Sequence, residues 1–128
     1  MNVGDTFLYP LGDAGSEHLW IVLTNPDPDD QILIVNITSI YSADKDSVDM
    51  TVCLNAGEHP FITHRSYVYY RGMAIKTVSA LRSEEKANRL KMHKRCSEKI
   101  VALVKQGVGA SDFSTKAMIR FYRERQTI

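Results

Sequence analysis

Ile32-Leu33-Ile34-Val35-Asn36-Ile37 is an almost unbroken apolar run, too short for a helix of ordinary length, and it reads as a strand buried on both faces. Similar short runs lie on either side of it. Thr6-Phe7-Leu8-Tyr9 reads as a first strand and Leu19 to Thr24 as a second, which stops at the proline- and carboxylate-rich turn Asn25-Pro26-Asp27-Pro28-Asp29-Asp30. Downstream, an acidic loop from Ser42 to Ser47 leads into a strand from Met50 to Leu54, and Asn55-Ala56-Gly57 turns the chain. Tyr67 to Tyr70 and Ala74 to Ser79 read as a hairpin around Arg71-Gly72. Six short strands at this spacing predict a small antiparallel β-barrel.

After Leu81 the period changes to that of helices. Ser83 with Glu84 and Glu85 predicts an N-cap and an acidic first turn, for a helix reaching about Arg95. Ser97 to Gln106 predicts a second helix, with Gly107 as a left-handed C-terminal cap and Gly107 to Ser111 as a flexible connector resembling a long helix-turn-helix turn. A last helix, capped by Ser114 or Asp112, places Ala117, Met118, Phe121 and Tyr122 on one face and Lys116, Arg120, Arg123 and Arg125 on the other. The expected fold class is therefore β-rich α+β: a barrel over residues 1–80, then a basic helical extension over 81–128 packed on it.

A chain of 128 residues with 44% hydrophobic and 24% charged side chains can bury a core without metal or disulfide support. No run approaches the roughly 20 apolar residues of a spanning helix, and the first residues lack the basic and apolar regions of a secretory signal, so the expected location is cytoplasmic, without membrane contact. The two cysteines, Cys53 and Cys96, form no motif and are expected to be reduced. Residues 1–80 carry four Lys or Arg against ten Asp or Glu, a net of −6, whereas residues 81–128 carry twelve against five, a net of +7. The halves attract each other, and the basic one could attract a polyanion, although a solvated helix face explains the same pattern.

Gly57 to Tyr70 holds two of the four histidines, an arginine, a serine and three tyrosines, and is the candidate chemical segment. Metal-independent RNA cleavage needs a base for the 2′-hydroxyl proton, a cation or donor for the phosphorane and an acid for the leaving oxygen. Histidine titrates near neutrality, so His18 and His64 are the candidate base and acid, with Thr38 and Arg65 stabilising the transferred phosphate. His59, Ser66, Tyr70 and Arg71 are candidate substrate-binding residues, because aromatic rings beside arginine can stack nucleobases. The competing assignments are a turn at His59-Pro60, a surface His64 and tyrosines in the core. Cys53, His59 and His64 are zinc-ligand types, but only His59 with His64 is well spaced and no second pair matches it, so neither metal nor cofactor is expected.

Three stretches carry a family resemblance. Val3-Gly4-Asp5-Thr6-Phe7, His18-Leu19-Trp20-Ile21-Val22-Leu23-Thr24 and Ile34-Val35-Asn36-Ile37-Thr38-Ser39 resemble, in order and character, the first three strands of the PemK and MazF toxin ribonucleases, small barrels related to SH3 folds. The resemblance implies an SH3-like barrel, a toxin-type endoribonuclease of a toxin–antitoxin-like system, RNA as substrate, an antitoxin-like protein partner and a homodimer. It puts His18 at the place of the family's basic residue and makes Thr38 a catalytic or substrate-orienting hydroxyl. The rival expectation is a non-catalytic interaction module whose acidic barrel binds a basic protein, and a third is a regulator whose tail contacts DNA.

Overall fold

The computed structural model describes residues 1–10, 16–40 and 48–126. The strands are β1 (Thr6–Pro10), β2 (Glu17–Val22), β3 (Gln31–Ser39), β4 (Cys53–Leu54), β5 (Ser66–Thr77) and β6 (Lys91–His93), and the helices are α1 (Val78–Lys86), α2 (Glu98–Ala110) and α3 (Lys116–Glu124). One antiparallel sheet in the order β4-β5-β3-β2-β1-β6 curves into a half-barrel, giving a small α+β fold with mostly C-terminal helices. Tyr41 and the predicted acidic loop Ser42 to Ser47 lie outside the described residues.

The apolar run Ile32 to Ile37 lies in β3, near the middle of the sheet. Leu33, Val35 and Ile37 join Leu19, Ile21 and Leu23 in the larger core, under α2 and α3, while Ile32 and Ile34 join Phe7, Trp20 and Val22 in a smaller core with Leu81 and Leu90. Both faces of the central strands are thus covered, which is why they read as continuous rather than alternating.

The predicted hairpin at Arg71-Gly72 is instead a single twelve-residue strand, β5, with a wide bulge. Asn36 pairs with Tyr69 and Ile34 with Ala74, so Tyr70 to Met73 bow out opposite Val35 alone. Gly72 serves close approach rather than a turn: a Cβ there would lie 2.6 Å from Cδ2 of Tyr69 and 2.9 Å from Oδ1 of Asn36.

The helix expected from Ser83 to Arg95 starts earlier and ends sooner. Thr77 caps α1 through Ala80 N–H at 3.2 Å, and Asn88 takes a left-handed φ of 61° that stops it. Leu90 then enters the small core and residues 91–93 pair with β1, so strand pairing overrides local helical propensity. Gly107 lies inside α2 rather than capping it. A Cβ there would fall 1.9 Å from the Tyr70 hydroxyl, which donates to the Val104 carbonyl at 2.7 Å. Thr115, not Ser114 or Asp112, caps α3. Beyond the predicted elements, buried Asp49 ties β4 to the α2–α3 connector by accepting from Ser111 Oγ at 2.5 Å.

Cys53 and Cys96 are free thiols, and burial pushes the Cys96 thiol up to about 11. Among the described residues no helix is long and apolar enough to cross a membrane.

Candidate functional site

At the end of the sheet where β2 and β5 start and β3 stops, the loop before β5 folds over the strand ends. Gly57, at a φ of 91°, donates to the Ile62 carbonyl, and Ile62 N–H donates back to the His59 carbonyl, both at 2.9 Å. Ile62 inserts into the larger core. Between this loop and the strands lies an open cleft of about 520 Å³, whose walls include Glu17, His18, Thr38, Ser39, Phe61, Thr63, His64 and Ser66. That volume falls within the usual range for small-ligand sites.

Strand register explains how His18 and Thr38 meet. β2 and β3 pair Leu19 with Ile37, so one further step sets His18 opposite Thr38. His18 also pairs with Tyr9 and Thr38 with Tyr67, making a row Tyr9–His18–Thr38–Tyr67 across the sheet. Alternation assigns this row to the Trp20 face, and Leu19, Ile37 and Ser39 to the opposite one. His18 and Thr38 therefore border the cleft from one face of the strand ends, and His64 from the loop beyond the other. Thr38 Oγ1 accepts from Asn36 Nδ2 at 3.1 Å, which leaves its O–H proton available to donate elsewhere.

Sequence reasoning did not single out Asn36, yet the lone amide in an otherwise apolar run was a signal. It is fully buried, and its Oδ1 has no hydrogen-bond partner among the described residues. Such a group is retained against a desolvation cost.

Of the eight candidate site residues, His18, Thr38, His64 and Ser66 line the cleft. Ser66 is buried and spends its hydroxyl on the His64 carbonyl at 2.9 Å, so it shapes the loop rather than facing a ligand. Arg65 is exposed next to His64 but does not line the cleft. Tyr70 lies in the core, where burial raises its pKa far above the usual phenol value. Arg71 is on the exposed bulge with its guanidinium 4.3 Å from the centre of the Phe113 ring.

His59 is 2% exposed and faces the β1–β6 edge instead of the cleft. Its Nδ1 accepts from Phe61 N–H at 3.1 Å, so the neutral ring carries its proton on Nε2 and donates to the Lys94 carbonyl at 2.6 Å. Burial, the main cause, lowers its pKa, and the nearby positive charges of His93 and Lys94 act in the same direction against the carbonyl bond. Trp20 is core, whereas Phe61 is 38% exposed at the cleft.

A larger cleft of about 690 Å³ lies by the β2–β3 turn, bordered by Asn25 to Asp29 and by Lys105 and Arg125. Its arginine is committed, since Arg125 donates to Asp27 Oδ2 at 2.6 and 3.1 Å and holds the Asp27 carboxyl below its usual range, behind the dominant backbone bond from Gln31. Among the described residues no cluster of three or more His, Cys, Asp or Glu is arranged to hold a metal ion.

No protein-family model, curated protein sequence or solved structure matches the chain.

Proposed function

We propose that the protein is a metal-independent endoribonuclease of toxin type, acting in a cytoplasmic toxin–antitoxin-like system, with the cleft at the strand ends as its active site. The observation that carries this reading is the meeting of His18, Thr38 and His64 at one cleft, although they lie on three separate segments. One histidine takes the proton from the ribose 2′-hydroxyl, whose oxygen attacks the adjacent phosphorus. The other gives a proton to the departing 5′-oxygen, leaving a 2′,3′-cyclic phosphate. The Thr38 hydroxyl, its oxygen engaged by Asn36, donates to a phosphorane oxygen. The resemblance to the PemK and MazF ribonucleases supports the same assignment of Thr38, and with it a homodimer.

Purified protein incubated with RNA, with and without EDTA, is expected to cut it equally under both conditions, and His18→Ala with His64→Ala to abolish cutting. Intact RNA at high protein concentration, or undiminished cleavage by the double variant, would sink the proposal.

One observation favours the alternative of a non-catalytic module that binds a basic protein segment. Among the described residues no lysine or arginine lines the cleft, whereas Glu17 and the partly exposed ring of Phe61 do. Salt-sensitive capture of a basic peptide, lost on Glu17→Gln and unaccompanied by RNA affinity, would assign the cleft to this role.

A further inference from the structure

A ribonuclease site whose walls carry no lysine or arginine among the described residues calls for phosphate contacts elsewhere on the molecule. We infer that the outer face of α3, with the connector before it, is that surface: Lys116, Arg120 and Arg123 take phosphates, and the Arg71–Phe113 pair takes a base. The choice of RNA over other polyanions rests on the ribonuclease reading.

Lys116, Arg120 and Arg123 follow the i, i+4, i+7 spacing that lines side chains along one helix face, and all three are exposed. They span about 10 Å of helix at 1.5 Å per residue. The other four arginines of the extension are committed: Arg82 to Glu85, Arg89 to Glu84, Arg95 to Asp5 and Arg125 to Asp27. No ion pair joins Lys116, Arg120 or Arg123 to an acidic side chain among the described residues, and with Ile119 and Glu124 they line a shallow groove of about 360 Å³ in which three cations outnumber one carboxylate.

Charge alone would suit any polyanion. The second observation lies just before the helix, where Phe113 is 36% exposed and the Arg71 guanidinium lies 4.3 Å from the ring centre. A flat aromatic surface paired with a guanidinium is a stacking platform that every nucleobase fits and an acidic peptide leaves unused. The bulge in β5 is what brings Arg71 out to it.

The test uses the full chain and a labelled single-stranded 2′-O-methyl RNA, which keeps the phosphates but cannot be cut. Lys116→Ala, Arg120→Ala and Arg123→Ala combined are expected to weaken binding at least tenfold in about 0.1 M salt. They should also flatten the log–log salt dependence by about two, as three lost phosphate contacts require. Phe113→Leu is expected to weaken binding several-fold with the salt slope unchanged. Unchanged affinity in the triple variant, with its fold verified by circular dichroism, overturns the inference even if the protein cleaves RNA. Binding through α3 by a protein that never cleaves RNA upholds the inference and sinks the ribonuclease reading alone. Tighter binding of polyglutamate than of RNA, lost in the triple variant, overturns it in favour of an acidic protein partner.

Discussion

His59 and His64 lie five residues apart in one loop and experience opposite environments. The first is enclosed, with both ring nitrogens hydrogen-bonded to backbone groups of its own loop and of Lys94. The second is exposed on the cleft wall. The loop therefore uses one imidazole as an anchor to the β1–β6 edge, so that the other can be presented at the strand ends. Residue type distinguishes neither role; burial does.

The contrast can be broken most sharply by mutation. His64→Ala is expected to reduce RNA cleavage by 10²-fold to 10⁴-fold, about 3 to 5 kcal/mol in the barrier, while the melting midpoint stays essentially unchanged. His59→Ala is expected to do the reverse in kind, destabilising the fold by about 2 to 3 kcal/mol by orphaning the Phe61 N–H, leaving the Lys94 carbonyl with the Thr6 hydroxyl alone and opening a small cavity. Chemical denaturation of both variants alongside the cleavage assay checks the pair, and equal loss of stability in both would erase the distinction.

A finer probe is pH. The folded state lowers the His59 pKa, so it binds fewer protons there than the unfolded chain does. Its contribution to stability is complete above the unfolded histidine value of about 6.5 and is lost as pH falls through the folded value. The parent protein should thus melt at lower temperature at pH 5.5 than at pH 7.5, and His59→Gln should flatten that difference. The smallest effect expected is that of Tyr70→Phe. Removing the hydroxyl that reaches the Val104 carbonyl should cost about 1 kcal/mol and leave cleavage intact, because Tyr70 belongs to the core and not to the cleft.

The central strands were legible because burial on both faces leaves a continuous apolar signature in Ile32 to Ile37 and Leu19 to Leu23. β5 was not, since Arg71-Gly72 has the chemistry of a turn and only the neighbouring Tyr69 ring and Asn36 amide show why glycine is needed there. β6 was obscured by local helical propensity, and its strand state depends on an edge offered by β1, at the other end of the chain. Gly107 misled for a related reason, because the Tyr70 hydroxyl that requires it comes from a different element. At the candidate site, His18, Thr38 and His64 could be nominated by type, but their convergence depends on register. Arg65, Arg71, Tyr70 and His59 were nominated on the same grounds and point elsewhere, because side-chain direction follows strand parity and loop hydrogen bonds that composition does not encode.

The strands at the two margins of the sheet are its shortest: β4 pairs through two residues and β6 through three. Such stubs offer too few open backbone groups to template another chain, so lateral growth by strand addition is blocked at both margins. Behind β4, however, lies the start of β5, Ser66-Tyr67-Val68-Tyr69-Tyr70, an uncharged, proline-free segment with strong extended preference. The hydrogen bonds that Asp49 accepts from Thr51 and Ser111 hold the approach to β4 in place. Loosening them would turn a self-limiting sheet into one with an adhesive border, and the first symptom would be fibrillar or amorphous aggregation rather than loss of the cleft.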